Sequence, residues 1–179
     1  MQVTATPCRH GPPLSRPIAG DVIGFALAWE GQEHGALWMT GDTVLYDGVR
    51  QVADSLQVDT ALLHLGCVRF PVTGPVRYSM TAREAVELCG LVRPRTAIPV
   101  HYEGWSHFHQ DRPAIQGEFA QAPADISRCI RWLPIGRRPP SPRDHQPEES
   151  SLLCHPTQDR KVEARPAVLP WPGWSFPLP

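Results

Sequence analysis

Residues 36–43 read Ala36-Leu37-Trp38-Met39-Thr40-Gly41-Asp42-Thr43, an apolar run that ends in a turn and a carboxylate. Such a run predicts a buried strand, and the Gly-Asp-Thr that follows predicts a turn that places the Asp42 side chain at the end of this strand. Two similar junctions occur elsewhere in the chain. One leads from a strand-like run into His10, and the other leads from a strand-like run into His101.

The rest of the sequence alternates between strand-like and helix-like patterns. Strands are predicted over residues 2–6, 22–29, 36–40, 59–65, 95–100 and 129–133, and helices over residues 48–56, 82–92 and 113–122. Thr81 and Glu84 match a capping box, in which a hydroxyl and a carboxylate satisfy two backbone amides at a helix start. A turn-rich segment predicts that residues 22–29 and 36–40 pair antiparallel. The alternation predicts an α/β fold built in layers.

The composition excludes several classes of protein. The chain has 179 residues, 41% of them hydrophobic, so it can bury one modest core. Its net charge of -1 gives no electrostatic footprint for nucleic acid, and no segment predicts a membrane span or a signal peptide. The five cysteines lack CxxC spacing, which argues against a disulfide framework and a cysteine zinc site. We therefore expect a cytoplasmic protein.

Proline marks a boundary near residue 136. The chain contains 21 prolines, and the segment after Gly136 is rich in them and shows neither helical nor strand periodicity. We expect residues 1–136 to form the folded domain and residues 137–179 to form a disordered, proline-rich tail. Two interpretations of the tail remain open. It is either a polyproline-type peptide ligand with Trp171 and Trp174 as anchors, or an extension without a selected function.

Four polar side chains lie at or just beyond the ends of predicted strands: His10, Asp42, His64 and His101. In layered α/β folds such strand ends collect loops into a site. Imidazole nitrogen and carboxylate oxygen suit zinc, iron or manganese, and a catalytic zinc usually keeps three protein ligands. Each residue also has an ordinary interpretation. His10 fits a loop residue, Asp42 fits a turn cap, and the other two fit strand-end or core histidines.

Four segments together resemble a known family. They are residues 5–13, 38–46, 64–66 and 98–108, which read ATPCRHGPP, WMTGDTVLY, HLG and IPVHYEGWSHF. In content and order they resemble the C-terminal half of metal-dependent hydrolases with the metallo-β-lactamase fold. Within that superfamily they are most similar to the branch of the ascorbate-phosphate lactonases and the phospholipase D that acts on N-acyl phosphatidylethanolamine. The resemblance covers about residues 2–136.

The resemblance implies a site for two metal ions. His10 would be a ligand of the first metal, Asp42 the carboxylate that bridges both, and His101 a ligand of the second. The metals, either zinc or else manganese or iron, would polarise a small-molecule ester, lactone or phosphodiester while a bridging hydroxide attacks it. Asp42 is therefore the catalytic candidate. Candidates for substrate contact or for support of the ligands are His64, Trp105 and His107.

The HxHxDH segment of this family has no counterpart in the 179 residues. The resemblance thus implies half of an αββα sandwich, with an apolar sheet face that a separate N-terminal half or self-association would cover. Each metal would keep about half of its protein ligands, so we expect tight dinuclear binding to fail in the isolated chain. Two functions remain open: an incomplete hydrolase, weakly active or inactive alone, and a truncated, non-catalytic interaction module that uses the uncovered sheet and the Pro/Trp tail.

Overall fold

The computed structural model describes residues 1–134. The strands are β1 (Gln2–Thr6), β2 (Gly24–Ala28), β3 (Ala36–Met39), β4 (Val58–His64) and β5 (Thr96–Val100). The helices are α1 (Arg16–Ala19), α2 (Asp47–Arg50), α3 (Val52–Ser55), α4 (Ala82–Val92), α5 (Arg112–Ala120) and α6 (Ala124–Cys129). The predicted tail, residues 137–179, lies outside the described residues. Across residues 1–134, no helix is both long enough and apolar enough to cross a membrane.

The five strands form one mixed sheet in chain order. β1 pairs antiparallel with β2, and β2 pairs antiparallel with β3. β3, β4 and β5 then pair parallel. Two reversals return the chain to its starting direction, so β1 runs the same way as the three parallel strands. The C-terminal ends of β1, β3, β4 and β5 therefore lie at one edge of the sheet, as the sequence predicted.

One face of the sheet carries the hydrophobic core. Side chains alternate between the two faces of a strand, and those on this face include Trp38, Ala61, Leu63 and Ala97, each no more than 1% exposed. Helices α2 to α6 complete the same core with Val49, Val52, Ala82, Ala85, Leu88, Ile115, Phe119 and Ile126. Full burial of each large aliphatic side chain stabilises the fold by about 1.5–3 kcal/mol. The helices are therefore held against one face of the sheet.

Helix α4 begins at the predicted capping box. The Glu84 N–H donates to Thr81 Oγ1 at 3.2 Å, and the Thr81 N–H donates to Glu84 Oε2 at 2.9 Å. Arg77 also donates to Glu84 Oε2, at 2.7 Å, which anchors the preceding loop. The helix ends at Val92, because the next residue, Arg93, has a left-handed φ of 50° and is followed by Pro94. The prediction of this helix from its spacing and cap is confirmed.

The opposite face of the sheet carries an apolar row that crosses all five strands. The strand register places five residues side by side, which we call the apolar row: Ala5, Phe25, Met39, Leu62 and Ile98. The core of residues 1–134 contains none of these five side chains. Phe25 is 37% exposed, and Val3, on the same face of β1, is 53% exposed. Within residues 1–134 this face therefore carries apolar side chains that lie outside the core, and its cover by a separate half or by a second copy stays a prediction.

Two predicted elements differ from the structure. The predicted closing strand over residues 129–133 is wrong: residues up to Cys129 belong to α6, and only Ile130 makes a bridge to Ala97. The apolar residues of this short run misled the prediction, because Cys129 and Ile130 pack into the core from the end of α6 and not from a strand. The predicted helix over residues 48–56 is divided into α2 and α3. The break is slight, since Gln51 keeps helical angles of -62° and -17°.

Candidate metal-binding site

The four candidate residues all lie at the shared edge of the sheet. His10 lies in the loop after β1, Asp42 in the loop after β3, His64 ends β4, and His101 directly follows β5. Parallel strand direction brings these chain positions to one side of the molecule, although they are far apart in sequence. The candidate site therefore lies along the edge of the sheet that the sequence predicted.

Three hydrogen bonds join the loops after β1 and β3. The Arg9 N–H donates to Thr43 Oγ1, and the Val44 N–H donates to the Arg9 carbonyl, both at 3.0 Å. The buried Cys8 thiol donates to the Asp42 carbonyl at 3.4 Å. Burial raises the pKa of the Cys8 thiol to about 11, so this group stays protonated at neutral pH. The backbone around Asp42 is thus fixed by the loop after β1.

Asp42 and His101 are in direct contact. Asp42 Oδ1 lies 3.3 Å from His101 Nδ1, and the side chains are 33% and 30% exposed. The two groups are not oriented as a hydrogen bond, so within residues 1–134 the buried His101 Nδ1 has no hydrogen-bond partner. His101 also has a left-handed φ of 56°, which costs a residue other than glycine about 1–2 kcal/mol. Strain of this kind is concentrated at functional sites.

Thr40 fixes the position of His64. The Thr40 side chain is fully buried, and its hydroxyl accepts from the His64 N–H at 3.0 Å and lies 3.4 Å from His64 Nδ1. Burial lowers the pKa of His64, the Asp42 carboxylate opposes this change, and the neighbouring His101 adds to it. His64 and His101 rings have centroids 5.9 Å apart. A neutral imidazole next to the Asp42 and His101 pair is the result.

His10 occupies its own part of the edge. Its carbonyl accepts a hydrogen bond from Ser15 Oγ at 2.6 Å, and its ring meets the ring of Tyr78 edge to face at 5.4 Å. Its Nδ1 is buried, and no described residue forms a hydrogen bond with it. A buried nitrogen without a partner costs about 1–3 kcal/mol. His10 Nδ1 is therefore suited to a ligand that would satisfy it.

The donor atoms at this edge fit a divalent metal in type but not in number. Imidazole nitrogens without partners at His10 and His101, together with the carboxylate of Asp42, are the donors that zinc and similar metals bind. In the described part of the chain, however, no group of three or more His, Cys, Asp or Glu side chains is arranged to hold a metal ion. The structure brings Asp42 and His101 into contact with His64 beside them, and His10 does not complete a three-ligand group.

A continuous series of ring contacts connects His10 to His101. We call these residues the aromatic arc, in the order His10, Tyr78, Phe70, His107, Phe108 and His101. Neighbouring centroids along the arc are 4.9–5.4 Å apart. Trp105 stacks on His107 at 5.7 Å, with an angle of 26° between the ring planes. The arc forms an aromatic border along the candidate site.

Sequence reasoning missed three residues of this site. Phe70 and Tyr78 lie in the loop between β4 and α4, where no periodicity indicates which side chains turn toward the site. Thr40 was part of the segment that decides the fold, but only the structure shows that its hydroxyl is buried against His64. A hydroxyl placed directly after a buried strand and before Gly41 was the one available signal for such a role.

Comparison with known proteins identifies the family. Residues 1–102 match the family described as "Beta-lactamase superfamily domain". The chain belongs to the β-lactamase superfamily. A metal-dependent hydrolase of Carboxydothermus hydrogenoformans is 32% identical over 137 residues, which are 75% of this chain and 54% of that protein. A metal-dependent hydrolase of Methanoregula boonei is 29% identical over 115 residues, which are 62% of this chain and 46% of that protein.

A solved structure extends the comparison to the fold. The crystal structure named as a possible metal-dependent hydrolase from Veillonella parvula superposes with a TM-score of 0.65 at 17% identity, covering 75% of this chain and 52% of that one. The predictions of the superfamily and its fold class are thus confirmed. The chain spans about half the length of the curated relatives that it matches. The narrower resemblance to the lactonase and phospholipase branch stays a prediction.

Proposed function

We propose that this β-lactamase superfamily chain takes part in the metal-dependent hydrolysis of ester, lactone or phosphodiester bonds. The contact between Asp42 and His101 carries the proposal, because it places a carboxylate and an unpartnered imidazole nitrogen together at the strand edge. The names of the relatives, which are metal-dependent hydrolases, support the same type of reaction. The donor set favours zinc, with manganese or iron as alternatives.

Each side chain has a defined part in this proposal. When bound, the metal would polarise the carbonyl or phosphoryl oxygen of the substrate. Asp42 and His101 would hold the metal, and His10 would be a further ligand. Because Nδ1 of His64 faces the Thr40 hydroxyl, Nε2 is the atom of His64 that would hold or release a proton next to the substrate.

The proposed site needs ligands beyond those of the described residues, because no three-donor group forms within residues 1–134. We propose that a further polypeptide segment, or a second copy of the chain, supplies them and at the same time covers the apolar row. Burial of the row would provide the free energy of association. The isolated chain would then be weakly active or inactive.

Metal retention tests the proposal. The full chain is prepared in zinc or manganese, dialysed, and analysed for metal by mass spectrometry. If a second copy of the chain supplies the further ligands, we expect retained metal close to one ion per chain, and a sharp loss of metal in Asp42→Ala. Asp54→Ala removes an exposed carboxylate of α3 and should leave metal content unchanged. A chain that retains no metal would contradict metal binding by the isolated chain.

The apolar row favours a second candidate function, that of a non-catalytic interaction module. Its five apolar side chains cross the whole sheet and lie outside the core of residues 1–134. Size-exclusion chromatography and binding of an apolar dye distinguish the outcomes, with Phe25→Lys as the variant that places a charge in the row. Self-association or dye binding that is lost in Phe25→Lys supports the module. A compact monomer that binds no dye argues against an uncovered face.

A further inference from the structure

We propose that Trp105, stacked on His107, is a platform that binds a planar aromatic or conjugated group of the substrate. The inference rests on the proposed hydrolytic function, and it names the class of substrate at the same site. It follows from three observations: the position of the aromatic arc, the rigid attachment of the loop that carries Trp105, and the exposure of the Trp105 ring.

The arc places aromatic surface beside the proposed reacting groups. Its last two contacts join His107 to Phe108 at 5.0 Å and Phe108 to His101 at 4.9 Å. Phe108 meets His101 with an angle of 81° between the planes, so the two rings pack edge to face. Three ring contacts, through His107 and Phe108, therefore connect Trp105 to His101, the residue that touches Asp42. A substrate whose flat group stacks on Trp105 would extend along this series of rings toward Asp42 and His101.

Hydrogen bonds hold the base of the Trp105 loop in place. The His109 and Gln110 N–H groups both donate to the Gly66 carbonyl, at 2.9 and 3.1 Å. The Arg69 N–H donates to the His107 carbonyl at 3.1 Å, which ties this loop to the loop that carries Phe70. His107 is thus fixed by backbone contacts on one side and by ring contacts on the other. A fixed platform binds a flat group at a lower cost in conformational entropy.

Much of the Trp105 ring is exposed and accessible to a ligand. It is 69% exposed, although one face stacks on His107 at 26°. Stacked and edge-on ring pairs attract beyond the effect of area alone, because the faces and edges of the rings carry opposite partial charges. An aromatic group bound on the free surface would extend a stack that His107 already begins. An aliphatic group of the same size would gain the burial but not the ring interaction.

A matched pair of probes tests the platform. Benzyl acetate and cyclohexylmethyl acetate have the same carbon skeleton and differ in the aromaticity of the ring. Their affinities for the full chain, freed of metal with EDTA, are measured by NMR titration of the indole N–H signals. We expect benzyl acetate to bind about 3- to 10-fold more tightly, which is the range of a ring interaction.

Three variants locate the binding. Trp105→Ala should abolish the preference for benzyl acetate, and Trp105→Phe should keep part of it. Trp29→Ala removes another exposed tryptophan, 46% exposed, at the opposite edge of the sheet, and should change nothing. Equal affinity for both probes, binding of neither probe, or an unchanged preference in Trp105→Ala would each overturn the platform.

The outcome separates the platform from the proposed hydrolysis. The titration uses no metal and no turnover, so a preference for benzyl acetate that survives in a chain without metal retention would reject the hydrolytic role alone. Metal retention without any aromatic preference would reject the platform alone. Because Trp105 is exposed, its replacement by Ala is not expected to unfold the chain.

Discussion

Replacement of Gly66 by alanine should destabilise the fold and disturb the candidate site together. Gly66 has φ = +90°, and a Cβ atom there would lie 2.7 Å from the Phe108 ring and 2.8 Å from the His101 carbonyl oxygen. The positive φ costs an alanine about 1–2 kcal/mol. The steric overlap adds about 1–3 kcal/mol, since the carbonyl is backbone and cannot rotate away. We expect Gly66→Ala to lower the free energy of unfolding by about 2–5 kcal/mol.

Gly31 provides a matched control for this prediction. Its φ is +89°, and a Cβ atom there would meet nothing within 4 Å. Gly31→Ala should therefore lower the free energy of unfolding only through its positive φ, by about 1–2 kcal/mol. The replacement of glycine by alanine affects the unfolded chain equally in both variants. Urea unfolding of the two variants gives the steric term by difference, about 1–3 kcal/mol. If the two variants were equally stable, the close approach of Gly66 to Phe108 and His101 would be refuted.

Two further predictions concern His64 and the buried Trp38. Because burial lowers the pKa of His64 below its ordinary 6.5, the unfolded chain binds more protons just below pH 6.5. The free energy of unfolding should therefore fall from pH 7 toward pH 5 more steeply in the wild type and in the control His34→Gln than in His64→Gln. If urea titrations gave the same pH dependence for all three chains, a lowered pKa of His64 would be refuted. Thr6→Val leaves the Trp38 indole N–H, which donates to Thr6 Oγ1 at 3.0 Å, without a partner. Thr6→Val should lower the free energy of unfolding by about 1–3 kcal/mol, and by almost nothing in a Trp38→Phe background, where the indole N–H is absent.

Local patterns in the sequence predicted the five strands of the sheet and the antiparallel pairing of β2 with β3. Short apolar runs bounded by turn residues predicted β1 to β5, and the capping box at Thr81 and Glu84 predicted the start of α4. Residues 129–133 were misread as a strand, because they form a short and mostly apolar run. Helix α6, which ends at Cys129, is only six residues long, too short for helical periodicity to be recognised.

The site was predictable in its location but not in its geometry. Strand direction alone placed His10, Asp42, His64 and His101 at one edge. Whether their side chains touch depends on loops whose conformation is set by particular contacts, such as the Ser15 hydroxyl on the His10 carbonyl. No periodic pattern encodes such contacts. The aromatic arc was even less predictable from the sequence, because it joins side chains from three separate loops, those after β1, β4 and β5.

The backbone at His101 sets stability and ligand binding against each other at one position. A left-handed φ of 56° is a conformation that glycine or asparagine adopts at little cost. Selection of variants for resistance to heat or urea alone should therefore enrich Gly or Asn at position 101. Selection for metal retention should restore histidine there. The residue that prevails at this position in a variant library would report which of the two demands the chain has to meet.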